Sequence, residues 1–125
     1  MIRIRRKPKL RGIQRGPQRE FPKHRKWVRG HACIVPDCPA RYIECAHVRT
    51  GTDGGTGQKP SDFWTVPLCG TVFGAGVAEG HHAEQHRIGE PAFEKKYGLN
   101  LKATAMKLAN DSPDLAMREV MRDGR

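Results

Sequence analysis

No stretch of this 125-residue chain is apolar over anything near the ~18 residues that a membrane-spanning helix needs, so a membrane partner is not expected. Aromatics are scarce, with two Trp, two Tyr and four Phe, and apolar residues make up only 37%. A domain this small with so little apolar mass often needs a staple such as a bound metal. The charged N-terminus lacks the apolar block of a signal peptide. That argues against export, points to a cytoplasmic protein, and sets disulfides aside. The four cysteines are then read as ligands or buried thiols.

Acid is missing from one region. Residues 1–30 carry 12 Lys/Arg against a single acid, Glu20, whereas residues 31–125 carry 11 against 12. The whole net charge of +10 therefore lies in the first 30 residues. A basic arm on a near-neutral body suits a polyanion, and nucleic acid is the default partner. Residues 1–22 have charge, Pro and Gly with no sustained apolar period, and are expected to be a disordered arm. Trp27 and Val28 are the first plausible core residues. The expected organisation is an arm over 1–22, a domain over 23–98 and a helical extension over 99–125.

Within the domain, "CIVPDC" is a tight turn favoured by Pro36 and Asp37. "RYIECAHV" (41–48) and "DFWTVPL" (62–68) have strand composition and would pair as an antiparallel hairpin across a Gly/Thr-rich loop. "HHAEQHRI" reads as a short helix ended by Gly89, and "EPAFEKKYG" as another, with Pro91 near its start and Gly98 after its end. Asn100 is expected to cap a helix with Leu101, Ala105 and Leu108 on one face. Ser112 is expected to cap a last helix, with Pro113 in its first turn. There is no internal repeat.

The chemistry-bearing residues are concentrated. Cys33 and Cys38, with four residues between them, match the long end of a zinc knuckle. With Cys69 and His81 they would make a closed tetrahedral zinc site, a staple for a thin core. Cys45 is the alternative fourth ligand, ranked lower because it lies inside a strand. His82 and His86 stand at i and i+4 on a helix, so they can grip one ion. His81 and His82, about 100° apart around the axis, would face different ions. The plain alternative is two surface histidines on a polar helix. His47, near the end of the first strand, would face the second ion and could act as a general base.

The order strand, glycine loop, strand, "LC", "HH" and a helical His four residues on resembles the HNH endonucleases of the ββα-metal superfamily. The segment "IECAHVRTGTDGGTGQKPSDFWTVPLC…HHAEQHRIGE" is similar to the phage and prophage branch of small HNH proteins, the group of the recombination-enhancing nucleases. The resemblance spans roughly residues 27–98. It implies an α+β fold: a small ββα-metal core of hairpin plus helix, stapled by a structural zinc, with a C-terminal helical extension. It implies that His47 is the general base and that His82 and His86 hold a catalytic divalent cation such as Mg²⁺ or Mn²⁺. It implies that Cys33, Cys38, Cys69 and His81 hold Zn²⁺.

Ala46 stands where the superfamily usually carries a further Asp or His ligand. Strand alternation puts Glu44 on the same face, so Glu44 or water would complete the ion's shell. The superfamily's middle Asn falls near Trp64, and Asp62, two residues earlier, is the residue expected to brace the loop and orient His47. The implied activity is hydrolysis of DNA phosphodiester bonds with little sequence specificity, in phage or prophage DNA processing or recombination. Arg49, Lys59 and Arg87 would contact phosphates, and a recombination or packaging protein would be a partner. A non-catalytic, zinc-stapled nucleic-acid-binding module is the alternative.

Overall fold

The computed structural model describes residues 19–54, 58–73 and 78–123. In chain order the elements are α1 (Pro22–Arg29), β1 (Ile43–His47), β2 (Thr65–Cys69), α2 (His81–Ile88), α3 (Glu90–Tyr97), α4 (Leu101–Asp111) and α5 (Leu115–Asp123). The fold is small and α+β, with one two-stranded antiparallel sheet. Ile43 pairs with Cys69 and His47 with Thr65, so the two ends of the hairpin carry different chemistry. Every residue of β2 is buried. Pro67 is tolerated there because a two-stranded sheet has only edge strands, and its carbonyl accepts the Ile34 N–H at 3.1 Å.

The strands are shorter than their composition suggests. Asp62–Trp64 belong to a turn instead: the Trp64 amide donates to Ser61 O at 2.9 Å, and the Thr65 hydroxyl to Asp62 O at 2.8 Å. Turning the chain here places the Asp62 side chain beneath β1 instead of on a strand face.

The main core gathers Val35, Ile43, Val48, Val66, Leu68 and Phe93 with Leu101 and Ala105 of α4. The stretch expected as an appended helical extension thus supplies part of the same core that buries the hairpin. A second cluster joins Phe21, Ala109 and Met117. Residues 1–18 lie outside the described residues, but the last part of the expected arm is packed. Phe21 is buried, and Arg19 donates to the carbonyls of Asp53 and Lys59, both at 3.0 Å.

Helix α1 was not anticipated in a stretch so rich in Lys and Arg. Its buried positions are His24 and Val28, one turn apart, and a histidine in the inward stripe hides the apolar period from a hydropathy count. Pro22 begins the helix, where a missing N–H costs nothing. At the C-terminal end, Asn100 caps α4 by accepting the Ala103 amide at 2.9 Å, as expected. Ser112 does not cap α5. It closes α4, and Asp114 caps α5 by accepting the Met117 amide at 3.0 Å. Asp114 prevails because Ser112 is already engaged: its hydroxyl accepts the Asp114 amide and lies 2.8 Å from His24 Nδ1.

That contact makes His24 a pH-dependent brace between α1 and the α4–α5 junction. The ring is fully buried, and Nε2 has no partner among the described residues. Burial lowers its pKa below 6.5, against the opposing pull of Asp114 and Asp62, and His31 adds to the lowering. The folded state therefore holds the neutral ring. The unfolded chain takes up a proton as pH falls through about 6.5, so stability is lost below that pH until the folded pKa is reached. The melting temperature should drop between pH 7.5 and 5.5. The drop should be smaller in His24→Gln, and an equal drop in both proteins would remove His24 from this account.

Candidate functional site

The region from Cys33 to His81 builds one compact group. The turn Val35–Cys38 closes through Cys38 N–H to Val35 O at 3.2 Å, with Asp37 at φ 63°. This is the positive φ that the third residue of a Pro-led turn requires, and it folds Cys38 back beside Cys33. Eleven residues separate Cys69 from His81, yet the chain returns to its starting point. Val72 and Ala78 pair antiparallel, and Gly80 lies so close to Gly70 that a Cβ there would come 2.3 Å from the Gly70 carbonyl carbon. Only glycine permits that approach, and it delivers the first residue of α2 to the end of β2.

The ligand atoms of Cys33, Cys38, Cys69 and His81 all lie within 4.8 Å of one another. Cys38 and Cys69 sulfurs are 3.9 Å apart, and His81 Nδ1 is 3.5 Å from Cys33 Sγ and 3.2 Å from Cys69 Sγ. Ligands of a tetrahedral zinc, at ~2.3 Å for sulfur and ~2.0–2.1 Å for nitrogen, lie roughly 3.5–3.8 Å apart. The group therefore fits a metal such as zinc. Cys45 is not part of it: its Sγ faces Arg25 O at 3.2 Å, on the α1 side of the sheet. Burial pushes the Cys33 thiol up to about 11 and raises that of Cys69. Metal must displace those protons, so uptake is pH-dependent. Around His81 stand Phe93 and Tyr97, both edge-on. The Tyr97 hydroxyl and Lys96 both donate to the buried Glu84 carboxylate one turn along α2.

On the next face of α2, His82 and His86 lie with their Nε2 atoms 3.3 Å apart. Two nitrogens ~2.05 Å from one tetrahedral ion would be roughly that far apart. The other nitrogen of His82, Nδ1, is 2.7 Å from Glu44 Oε1. The two ring nitrogens point away from each other, so Glu44 stands behind His82, on the far side from His86. In this arrangement the carboxylate fixes the orientation of the His82 ring. The His82 contact is the main reason the Glu44 carboxyl is held below its usual range.

His47 is held from behind in the same way. Its Nε2 is 2.8 Å from Asp62 Oδ1, which leaves Nδ1 as the ring nitrogen not engaged by the carboxylate. The other Asp62 oxygen accepts the Phe21 amide at 2.7 Å and the Arg25 guanidinium at 2.9 Å. Burial pushes the Asp62 carboxyl up, but His47, the Phe21 amide and Arg25 outweigh it, and the net result is a carboxyl held low.

His47, His82 and His86 line one open cleft of about 480 Å³, together with Arg49, Lys59 and Gln85. The Gln85 carboxamide is buried without a hydrogen-bond partner among the described residues. Glu90, at the start of α3, accepts the Arg49 and Thr50 amides, both at 2.8 Å, and so pins the loop that carries Arg49. Arg87 is elsewhere, held by two hydrogen bonds to Glu79 at 2.9 and 2.8 Å. Of the three expected phosphate contacts, two are therefore at the cleft. Neither Glu90 nor Arg25 was legible as a site residue: each acts through a partner about 40 positions distant in sequence.

Among the described residues, no helix is long and apolar enough to cross a membrane. No protein-family model, curated protein or solved structure matches the chain.

Proposed function

We propose that this protein is a metal-dependent endonuclease of the HNH type that hydrolyses DNA phosphodiester bonds with little sequence specificity. One observation carries the reading: a carboxylate-braced histidine, His47, shares a cleft with two histidines whose Nε2 atoms converge to 3.3 Å. The donor set fits a divalent cation with open positions for water and phosphate oxygen. When bound, such a cation supplies Lewis-acid stabilisation of the charge that builds on the phosphoryl and leaving oxygens.

The chain's own residues supply the rest. Asp62 holds the His47 Nε2–H, so Nδ1 is the basic atom that takes a proton from the attacking water. Glu44 fixes the His82 ring so that Nε2 looks toward His86. Arg49 and Lys59 hold backbone phosphates at the rim. Glu90 keeps the Arg49 loop against α2 and α3. The thiolate group, with zinc bound, locks the start of α2, and with it the facing of His82 and His86. This extends the ββα-metal resemblance, and with it a role in phage or prophage DNA processing beside a recombination or packaging protein.

The competing reading is a non-catalytic, zinc-stapled nucleic-acid-binding module. It keeps the thiolate group and the cationic rim but gives the convergent histidines no task. Incubation of supercoiled plasmid with the zinc-loaded protein and Mg²⁺ or Mn²⁺ separates the two. Open-circular or linear product is expected from wild type, with at least a hundredfold loss in His86→Ala. Equal trace cleavage by both proteins would leave only the binding module.

A further inference from the structure

The glycine-rich loop has two sides. Arg49 and Thr50 line the histidine cleft, whereas Gly51, Thr52 and Asp53 line a second groove, of about 560 Å³, against α4 and α5. The groove's floor is aromatic and thioether: Phe63, Trp64, Met106 and Met121. Phe63 meets Trp64 edge-on, with ring centroids 4.8 Å apart. The rim is cationic, with Arg19, Arg118 and Arg122. The one acid lining it, Asp53, lies 3.4 Å from Arg19, and Glu119 lies 3.9 Å from Arg122. Lys102 adds an ammonium 5.8 Å from the centre of the Trp64 ring. An aromatic, apolar floor under a positively biased rim suits a nucleotide, whose base needs a π-face and whose phosphate needs a cation.

We propose that this groove holds an unpaired base of a strand that runs over the glycine loop from the cleft, so that the preferred substrate carries a single-stranded segment beside the cut. The proposal rests on the nuclease reading for what occupies the cleft, and on the groove's own chemistry for the base. Continuity supports it. Thr50 lines the cleft and Gly51, the next residue, lines the groove, so the two open on either side of one short stretch of chain. Charge supports it too: Arg19, Arg118, Arg122 and Lys102 outnumber Asp53 and Glu119 around the groove, and a net positive rim suits a phosphate better than an apolar peptide. A base paired inside a duplex is stacked on both faces and cannot lie on this floor.

The test is a binding comparison on the full-length, zinc-loaded protein without added Mg²⁺ or Mn²⁺. Fluorescence anisotropy would follow labelled duplexes of one length and sequence. One carries an oligo-thymidine tail and the other an abasic tail with the same number of phosphates. The ratio of their affinities isolates the base from the charge. Wild type should bind the base-bearing tail about tenfold more tightly. The ratio should fall to about one in Trp64→Leu and in Met106→Glu, the latter at a position 40% exposed and so replaceable without disturbing the core. A wild-type ratio near one, or a preference kept by both variants, overturns the proposal and would leave the groove to a protein partner. Cleavage of blunt duplex in Mn²⁺, measured in parallel, keeps the two readings apart. A base preference without cleavage sinks the nuclease reading alone, and cleavage without a base preference sinks this inference alone.

Discussion

Stripping metal from the Cys33–Cys38–Cys69–His81 group should unfold the domain. A structural zinc contributes ~10–16 kcal/mol to the folding of small zinc domains near neutral pH, and a whole domain is stable by only ~5–15 kcal/mol. Here the metal would tie together three parts of the chain: the Val35–Cys38 turn, the end of β2 and the start of α2. Elemental analysis of protein purified without added metal should find one tightly held zinc per chain. A strong chelator, or Cys69→Ser, should abolish the cooperative melting transition, whereas Cys45→Ser should keep both zinc and transition, since Cys45 faces Arg25 O instead. Metal-free protein that melts cooperatively at the wild-type temperature would show that the thiols are ordinary core residues.

The second large effect concerns His47. Replacing it with Ala should lower the plasmid-cleavage rate by ~10²–10⁴, the usual worth of a positioned general base. The fold should survive, because Asp62 keeps its bonds from the Phe21 amide and Arg25. Asp62→Asn should be worse on both counts. The amide oxygen can keep the Phe21 and Arg25 donors, but its NH2 then faces His47 Nε2 and either meets an N–H there or forces the tautomer that protonates Nδ1. A mismatched buried group costs ~1–3 kcal/mol. Because the Asp62 carboxyl is held low, its contribution to stability is present above the ordinary carboxylate range and is lost as pH falls through its folded pKa. Melting curves and cleavage rates measured on the same preparations separate the roles. His47→Ala should lose rate with little change in melting temperature, and Asp62→Asn should lose both. An unchanged rate in His47→Ala would end the assignment of His47 as base.

What the sequence by itself determined is what short-range chain geometry controls. Pro36 and Asp37 dictate the turn that brings Cys33 toward Cys38. The four-residue spacing of His82 and His86 puts them on one helix face, and adjacency turns His81 to another. Gly98 and Asn100 end one helix and begin the next. Each of these depends on residues within one turn of each other, where φ/ψ preferences and helical period leave little choice.

Tertiary structure alone decided the rest. It set Glu44 against His82 Nδ1, turned Cys45 away from the other thiols, and paired Arg87 with Glu79. It raised α1 from a basic stretch by burying His24 and Val28, and it gave Ser112 to His24 and left the cap of α5 to Asp114. It set Asp62 among partners on α1, β1 and the chain before them. These outcomes depend on which groups meet across tens of residues. That is settled by how a thin core packs and by the demand that every buried charge find a partner, neither of which is written in local spacing.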